Sequence, residues 1–483
     1  YKTIILKIMD NNNFDDASKE ILEWVSEYLK SVEMYPVKSQ VKYHEVYNQL
    51  PDSAPSTPED FKNIFNDFQN IIMPGITHWQ SPNFFAYFPA NSSVPSILAE
   101  MLTSALGAQC MKWETSPSAA ELEEKVMIWL RDMIGLPKNF IGVIQDTAST
   151  STLASIITAR EYHSDFKINK EGFSGNERYR VYCSTETHSS IEKAVKIAGI
   201  GRDNLVKLAV DENFAMIPAE LEKAIESDIN KGFKPLCVVA ALGTTGTTAI
   251  DPLKEISALK KKYNFWLHVD AAYLGTALIL PEYRWMIEGI DEADSFVFNP
   301  HKWMFTNFDC SAYFVKDKNV LLNTFEIIPE YLKTRSDNVA NNYCDWGIPL
   351  GRRFRALKLW FVIRSFGVEG LKEKVRYHLK LAKDLYEKIS SKNDFQILAP
   401  LNANVVCFRY KPGNIIDENM LNILNEDLMH KLNNSGKMFL THTKLNGKFT
   451  LRIVIAQTNV EERNVNDAWE LIKQYSDELK EIN

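Results

Sequence analysis

Between about Ala86 and Phe366 short apolar runs alternate with helical periods, and no other feature restricts the possible folds as strongly. Six runs have the length and composition of buried strands: Arg178–Cys183, Leu205–Val210, Leu236–Leu242, Phe265–Val269, Ser295–Phe298 and Ala312–Val315. Helical segments such as Pro218–Ile229 and Leu253–Tyr263 lie between them, and Pro218 suits a first helical position, where its missing N–H costs nothing. Near-continuous apolar strands separated by helices predict an α/β fold with a mostly parallel sheet covered on both faces. Lys260–Lys262 reads as the solvated face of a crossover helix rather than a binding patch.

The flanks differ from this pattern. At roughly 150 residues per domain, 483 residues allow about three units. Residues 1–85 read as helices joined by proline-containing turns. Phe14–Leu29 carries Ile21, Leu22, Val25 and Leu29 on one helical stripe, and Asp52–Asn70 follows the same period with Thr57–Pro58 as cap and first turn. Such an arm is either a bundle of its own or an element that wraps a partner subunit. Residues 86–366 form the α/β domain. Residues 367–483 carry a long helical stretch, then strand Val405–Arg409, helix Asn419–Leu432, strand Phe449–Ile455 and helix Val465–Leu479, a smaller α+β unit.

Composition excludes several classes. A net charge of −7 lacks the basic field that phosphate backbones demand, which argues against nucleic acid. Cys237–Leu242 and the other apolar stretches are too short to span a bilayer. Tyr1–Lys7 has neither the length nor the cleavage pattern of a secretory signal. The six cysteines, at 110, 183, 237, 310, 344 and 407, form no CxxC pair, and several sit in strand-like segments as small hydrophobes. A reduced, cytoplasmic protein is expected. No HExxH or close His/Cys pair suggests a metal, and there is no GxxxxGK[ST] loop or GxSxG elbow.

The chemistry-bearing residues sit where strands end. Lys302 follows a buried strand in Asn299-Pro300-His301-Lys302-Trp303. A desolvated lysine is a nucleophilic amine that forms a Schiff base with an aldehyde; the plainer reading is a strand-end lysine paired with a carboxylate. Asp270 ends the apolar run of His268-Val269-Asp270-Ala271-Ala272-Tyr273 and points into the crevice where α/β proteins bind ligands. It holds a protonated ring nitrogen there, with Ala272 leaving room for a flat ring, or else caps the next helix. Thr147-Ala148-Ser149 opens a helix, and such a start is either an anion site or a hydroxyl N-cap. His188 follows the strand ending at Cys183, and Gly243–Thr248 closes another; alone, they are a polar histidine and a turn. Together, an anion cradle, a carboxylate and an amine on one sheet edge are the three handles of pyridoxal phosphate.

Asn299–Trp303, His268–Tyr273, Phe84-Phe85-Ala86-Tyr87-Phe88-Pro89, Ser116-Pro117 with Glu121-Leu122-Glu123, and Pro349–Arg355 resemble the aromatic L-amino-acid decarboxylases. These are group II pyridoxal-phosphate enzymes, and the likeness runs from about residue 15 to 480. It implies fold type I: a mostly parallel seven-stranded sheet, an N-terminal helical arm for dimerisation and a small C-terminal α+β domain. It also implies a homodimer with its active site at the subunit interface. In the implied site, Lys302 binds the cofactor, Asp270 pairs with its ring nitrogen, and His188 stacks on the face opposite Ala272. Thr147, Ala148, Ser149 and Asn299 hold the phosphate, and Thr245 and His301 line the cofactor. Trp79, Tyr87, Phe88, Pro89, Met111 and Gly351 border the substrate. Asn323–Val339 matches the family's mobile loop, whose tyrosine, here Tyr331, protonates the substrate carbon.

The implied reaction is decarboxylation of a Trp, Tyr, Phe or DOPA-type amino acid to an arylalkylamine. Related aldehyde synthases tend to carry Phe at the tyrosine or Asn at the histidine, so Tyr331 and His188 favour the amine. A catalytically silent homologue retained as a binding subunit is the other alternative. Three positions depart from the pattern: Ala90, Met111 and Asp146, the last an acid beside the expected phosphate loop, unfavourable unless it turns away.

Overall fold

A computed structural model describes residues 11–327, 340–413 and 416–482. Two compact units form. One comprises Tyr1–Tyr87, Lys388–Gln396 and Phe408–Asn483; the other comprises Phe88–Glu387 and Ile397–Cys407. The boundary expected at 366/367 falls where one helix gives way to the next. Arg355–Ser390 comprises two helices that meet at Gly367, whose φ of 65° and ψ of 166° lie outside helical geometry.

The second unit is built on seven strands: β1 (Ile141–Gln145), β2 (Tyr179–Ser184), β3 (Leu205–Leu208), β4 (Lys234–Ala241), β5 (Trp266–Asp270), β6 (Ser295–Phe298) and β7 (Ser311–Val315). They form one sheet in the order β1-β7-β6-β5-β4-β2-β3. Only β7 runs against its neighbours β1 and β6; the pairs β2–β3, β2–β4, β4–β5 and β5–β6 are parallel. Strands β5, β6 and β7 are buried along their whole length, as expected for a sheet covered on both faces. The expected strand Leu205–Val210 stops two residues early; Val210 instead forms an isolated bridge with Met216.

The helix Ala148–His163 packs on this sheet through small side chains: Ser151, Thr152, Ala154, Ser155, Thr158 and Ala159 are all buried. Small residues let the helix approach the strands closely. Their hydroxyls are satisfied locally or across the contact, with Thr158 Oγ1 donating to the Ala154 carbonyl at 2.7 Å and Ser155 Oγ 2.7 Å from Ser295 Oγ.

Four further strands, β8 (Phe395–Ile397), β9 (Val405–Tyr410), β10 (Thr441–Leu445) and β11 (Lys448–Val454), form a sheet in the order β10-β11-β9-β8. The turn Asn446-Gly447 joins the β10–β11 hairpin, both residues having positive φ. In the first unit the helix Asn11–Ser31 brings Trp24 edge-on to Phe68 at 5.1 Å. The helix expected over Asp52–Asn70 is shorter. It begins at Phe61 because Asp60, not Thr57, accepts the Lys62 amide proton at 2.9 Å, and it passes into a wider turn at Phe68. Lys260 also corrects an expectation. Rather than facing water, its ammonium lies 2.5 Å from Asp294 and donates to the Glu292 carbonyl, while Lys261 and Lys262 stay exposed.

Candidate active site

Parallel strands deliver their C-terminal ends to one edge of the sheet, and the loops leaving β1, β2, β4, β5 and β6 meet there. They enclose a cavity of about 240 Å³. Lining it are Thr147, Ala148 and Ser149 after β1, His188 after β2, Thr245 after β4, Asp270 and Ala272 at β5, and Asn299, His301 and Lys302 after β6. Every cofactor residue chosen from the sequence therefore borders one space.

Each is held by local structure. Lys302 lies in the short helix Pro300–Trp303, which is tied down by Asn91 Nδ2 donating to the Lys302 carbonyl at 2.8 Å and by the Trp303 indole N–H donating to His378 Nδ1 at 3.0 Å. The Lys302 ammonium stands 5.1 Å from the centroid of the Phe88 ring. Phe88 stacks on Tyr273 at 3.8 Å, and Tyr273 on Trp303 at 5.3 Å, giving a column of rings beside the lysine. Asp270 is nearly buried, and its carboxylate accepts the Ala272 N–H at 3.0 Å, which fixes its direction.

Burial lowers the pKa of both cavity histidines. Ser190 N–H donates to His188 Nδ1 at 3.1 Å. Burial, and then the Lys302 charge, hold this imidazole below its usual pKa, with Asp270 acting in the opposite sense. His301 Nδ1 likewise accepts the Cys310 N–H at 2.9 Å; burial and then Lys302 push its pKa down to about 3.

Asp146 turns away. It does not line the cavity, and its carboxylate accepts the Thr147 N–H at 2.7 Å. Thr147 caps the helix Ala148–His163 through its own hydroxyl, leaving first-turn N–H groups without intrahelical partners. The end of β1 that carries this helix start is pinned by a buried ion pair. Arg352 grips Glu123 with two nitrogens at 2.7 and 3.1 Å, Glu123 also accepts the Ile144 N–H, and Arg352 donates to the Ile144 carbonyl. Removing one partner of such a pair strands a buried charge, at about 3–5 kcal/mol. Sequence reading placed Glu123 and Arg352 within motifs but gave them no task.

The cavity suits pyridoxal phosphate. Asn299 is 3% exposed, and its side-chain oxygen has no hydrogen-bond partner. Turned over, the same amide presents two N–H donors, which a phosphate beside the helix start would accept. A carboxylate and an amine complete the donor set.

The expected substrate wall is only partly here. Phe88 lines the cavity; Pro89, Met111 and Gly351 do not, and Trp79 and Tyr87 belong to the other unit, where their rings stack 5.7 Å apart. Asn323–Phe325 close the helix Lys318–Phe325, and Tyr331 lies outside the described residues. Ser190, Gly243, Thr244 and Tyr273, which stand in the sequence motifs without an assigned role, also line the cavity, as do Ala241 and Phe308. Gly243 had a legible signal, a glycine directly after an apolar strand. Its φ is 97°, and a Cβ there would come within 2.5 Å of Leu274.

Comparisons with known proteins agree with this geometry. Residues 44–411 match the pyridoxal-dependent decarboxylase conserved domain. Tryptophan decarboxylase 2 of Oryza sativa subsp. japonica is 42% identical over 478 residues, covering 97% of this chain and 95% of the relative. Phenylacetaldehyde synthase of Arabidopsis thaliana is also 42% identical, over 480 residues and 97% of each chain. Among solved structures, Oryza sativa TDC with PLP and tryptamine superposes with a TM-score of 0.94 at 33% identity, covering 98% of this chain and 99% of that one. With a family domain across most of its length and a fold type I sheet that brings lysine, aspartate and helix start to one cavity, this chain belongs to the pyridoxal-dependent decarboxylases.

Proposed function

We propose that this protein removes the carboxylate of an aromatic L-amino acid of the Trp, Tyr, Phe or DOPA type and releases CO2 and the arylalkylamine. The observation that carries this reading is the meeting of Lys302, Asp270, His188 and the Thr147–Ser149 helix start in one cavity with an aromatic side, Phe88 on Tyr273. Similarity to a tryptophan decarboxylase supports the aromatic substrate.

Pyridoxal phosphate, when bound, supplies a conjugated ring that accepts the electron pair left as CO2 departs. Lys302 offers the amine that anchors the aldehyde end. Asp270, aimed by the Ala272 N–H, keeps a proton on the ring nitrogen. The first-turn amides at Ala148 and Ser149, with Asn299, bind the phosphate. His188, held by the Ser190 N–H at Nδ1, presents its ring to the cavity. Tyr331 is the proton donor to the substrate carbon.

A second reading, decarboxylation coupled to oxidative deamination, draws on the similarity to a phenylacetaldehyde synthase. His188 and Tyr331 favour the amine. Supplying the four amino acids to the protein with added pyridoxal phosphate, and measuring amine, aldehyde, ammonia and peroxide together, separates the readings. Amine in large excess over aldehyde is expected. Aldehyde with stoichiometric ammonia and peroxide would replace the first reading by the second; absence of cofactor uptake would indicate a silent homologue.

The proposed working form is a homodimer. On the helix Val94–Leu106, the side chains of Val94, Leu98, Met101, Leu102 and Leu106 are 42–65% exposed, a continuous apolar stripe at helical spacing. A second copy of the chain is its natural cover. The double variant Leu98→Asp, Leu102→Asp is expected to sediment as a monomer where the parent sediments as a dimer; an unchanged sedimentation coefficient would refute this use of the stripe. All six cysteines are free and buried, which supports a reducing, cytoplasmic location.

A further inference from the structure

Beneath the cavity lies a buried polar network that the reaction as described does not use. His268 stands on β5, two residues before Asp270, and is fully buried. Its Nε2 is 3.1 Å from Thr152 Oγ1, and its Nδ1 is 2.9 Å from Ser295 Oγ. Ser295 Oγ is in turn 2.7 Å from Ser155 Oγ, and the Trp266 indole N–H donates to both serines, at 3.0 and 3.2 Å. Thr152, Ser155 and Ser295 are fully buried as well.

These partners come from the three elements that carry the cofactor handles. Thr152 and Ser155 belong to the helix whose first turn forms the anion cradle. His268 is on the strand that ends in Asp270, and Ser295 opens the strand that leads to Asn299 and Lys302. Strands β5 and β6 are already joined in register, His268 opposite Ser295 and Asp270 opposite Val297. The helix has no such ladder to hold it. Its apolar contacts tolerate sliding, so directional bonds hold it to the strands: Ser155 to Ser295 and Trp266 one turn further from the anion cradle, and Thr152 to His268 nearer to it. A directional bond from a rigid ring defines how far along the strands the cradle end sits.

We propose that His268, through its bond to Thr152, is a positioning residue that sets the separation between the phosphate end of the site and the Asp270 carboxylate. The inference rests on the pyridoxal-phosphate reading of the cavity. Burial holds the His268 pKa down at about 4, so the imidazole is neutral at ordinary pH, with one ring nitrogen donating and the other accepting. A link of this kind adds no net charge beside Asp270. It also lies beyond the cavity lining, so its loss acts on cofactor affinity before it acts on chemistry.

The test is cofactor affinity, measured by equilibrium dialysis of pyridoxal 5'-phosphate against the cofactor-free full chain, with the melting temperature of the same protein as control. Thr152→Val keeps the volume and deletes the hydroxyl; Thr152→Ser keeps the hydroxyl and deletes the methyl. T152V is expected to raise Kd about tenfold or more, the usual scale for losing a supporting hydrogen bond behind a ligand site. T152S is expected to stay near wild type, and kcat of T152V at saturating cofactor is expected to stay within a few-fold. His268→Asn, which retains a donor toward Ser295 but does not reach Thr152, should match T152V; if H268N does not fold, the Thr152 pair still decides. A T152V Kd within twofold of wild type, or a rise that T152S shares in full, overturns the proposal. Wild-type chain that takes up no pyridoxal phosphate would instead overturn the cofactor reading on which it rests.

Discussion

Lys302→Ala is expected to eliminate turnover, with kcat/KM falling at least about 1,000-fold, because no other amine among the lining residues replaces a covalent anchor. The substitution spares the fold. The bonds holding this segment are made by the Lys302 backbone carbonyl and by Trp303, and an alanine keeps both. The melting temperature of the cofactor-free protein should therefore change little. Reduction of the wild-type protein with borohydride, followed by peptide mapping, should place the pyridoxyl mass on Lys302. A label on another lysine, or activity retained in the alanine variant, would remove the basis of the functional assignment.

Asp270→Asn should be nearly as damaging, by a different route. The amide keeps size and shape, and its oxygen still accepts the Ala272 N–H, so position is preserved. What it loses is the negative charge that keeps a proton on the ring nitrogen, and with it much of the ring's ability to withdraw electrons as CO2 leaves. A loss of about 100- to 1,000-fold in kcat corresponds to roughly 3–4 kcal/mol of transition-state stabilisation. The effect should fall on kcat more than on KM, because charge on the ring nitrogen matters most while the electron pair is being accepted. A kcat within tenfold of wild type would show that another group carries this charge.

Much of the architecture was legible in the sequence. Six apolar runs became β2 to β7, most with ends displaced by one or two residues, because strands this hydrophobic have no alternative but a sheet covered on both faces; β1 was not among them. Readings failed where a single hydrogen bond outweighs composition. Thr57–Pro58 looks like a helix start, yet the helix begins only at Phe61, because Asp60 captures the Lys62 amide proton. The β10–β11 hairpin was missed although Asn446-Gly447 between two strand-like segments is a strong hairpin signal. Strands β8 and β10 are short and only partly buried, so they lack the apolar runs that marked the others.

The candidate site divides in the same way. Lysine, aspartate, histidine and helix start were each ambiguous alone, and chain order at successive strand ends was enough to bring them together, because parallel strands must end on one edge. Residue types and spacing thus determined the sheet, its ligand edge and the identity of the chemical handles. Only the folded chain decided that Asp146 accepts the Thr147 N–H, that Ser190 N–H donates to His188 Nδ1, and that Glu123 and Arg352 pin the end of β1. It alone brought Thr152 to His268, 116 positions apart in sequence. The periodic burial of apolar groups is a local property that a sequence displays directly. The direction of one hydrogen bond depends on which distant segments share its neighbourhood, and packing alone settles that.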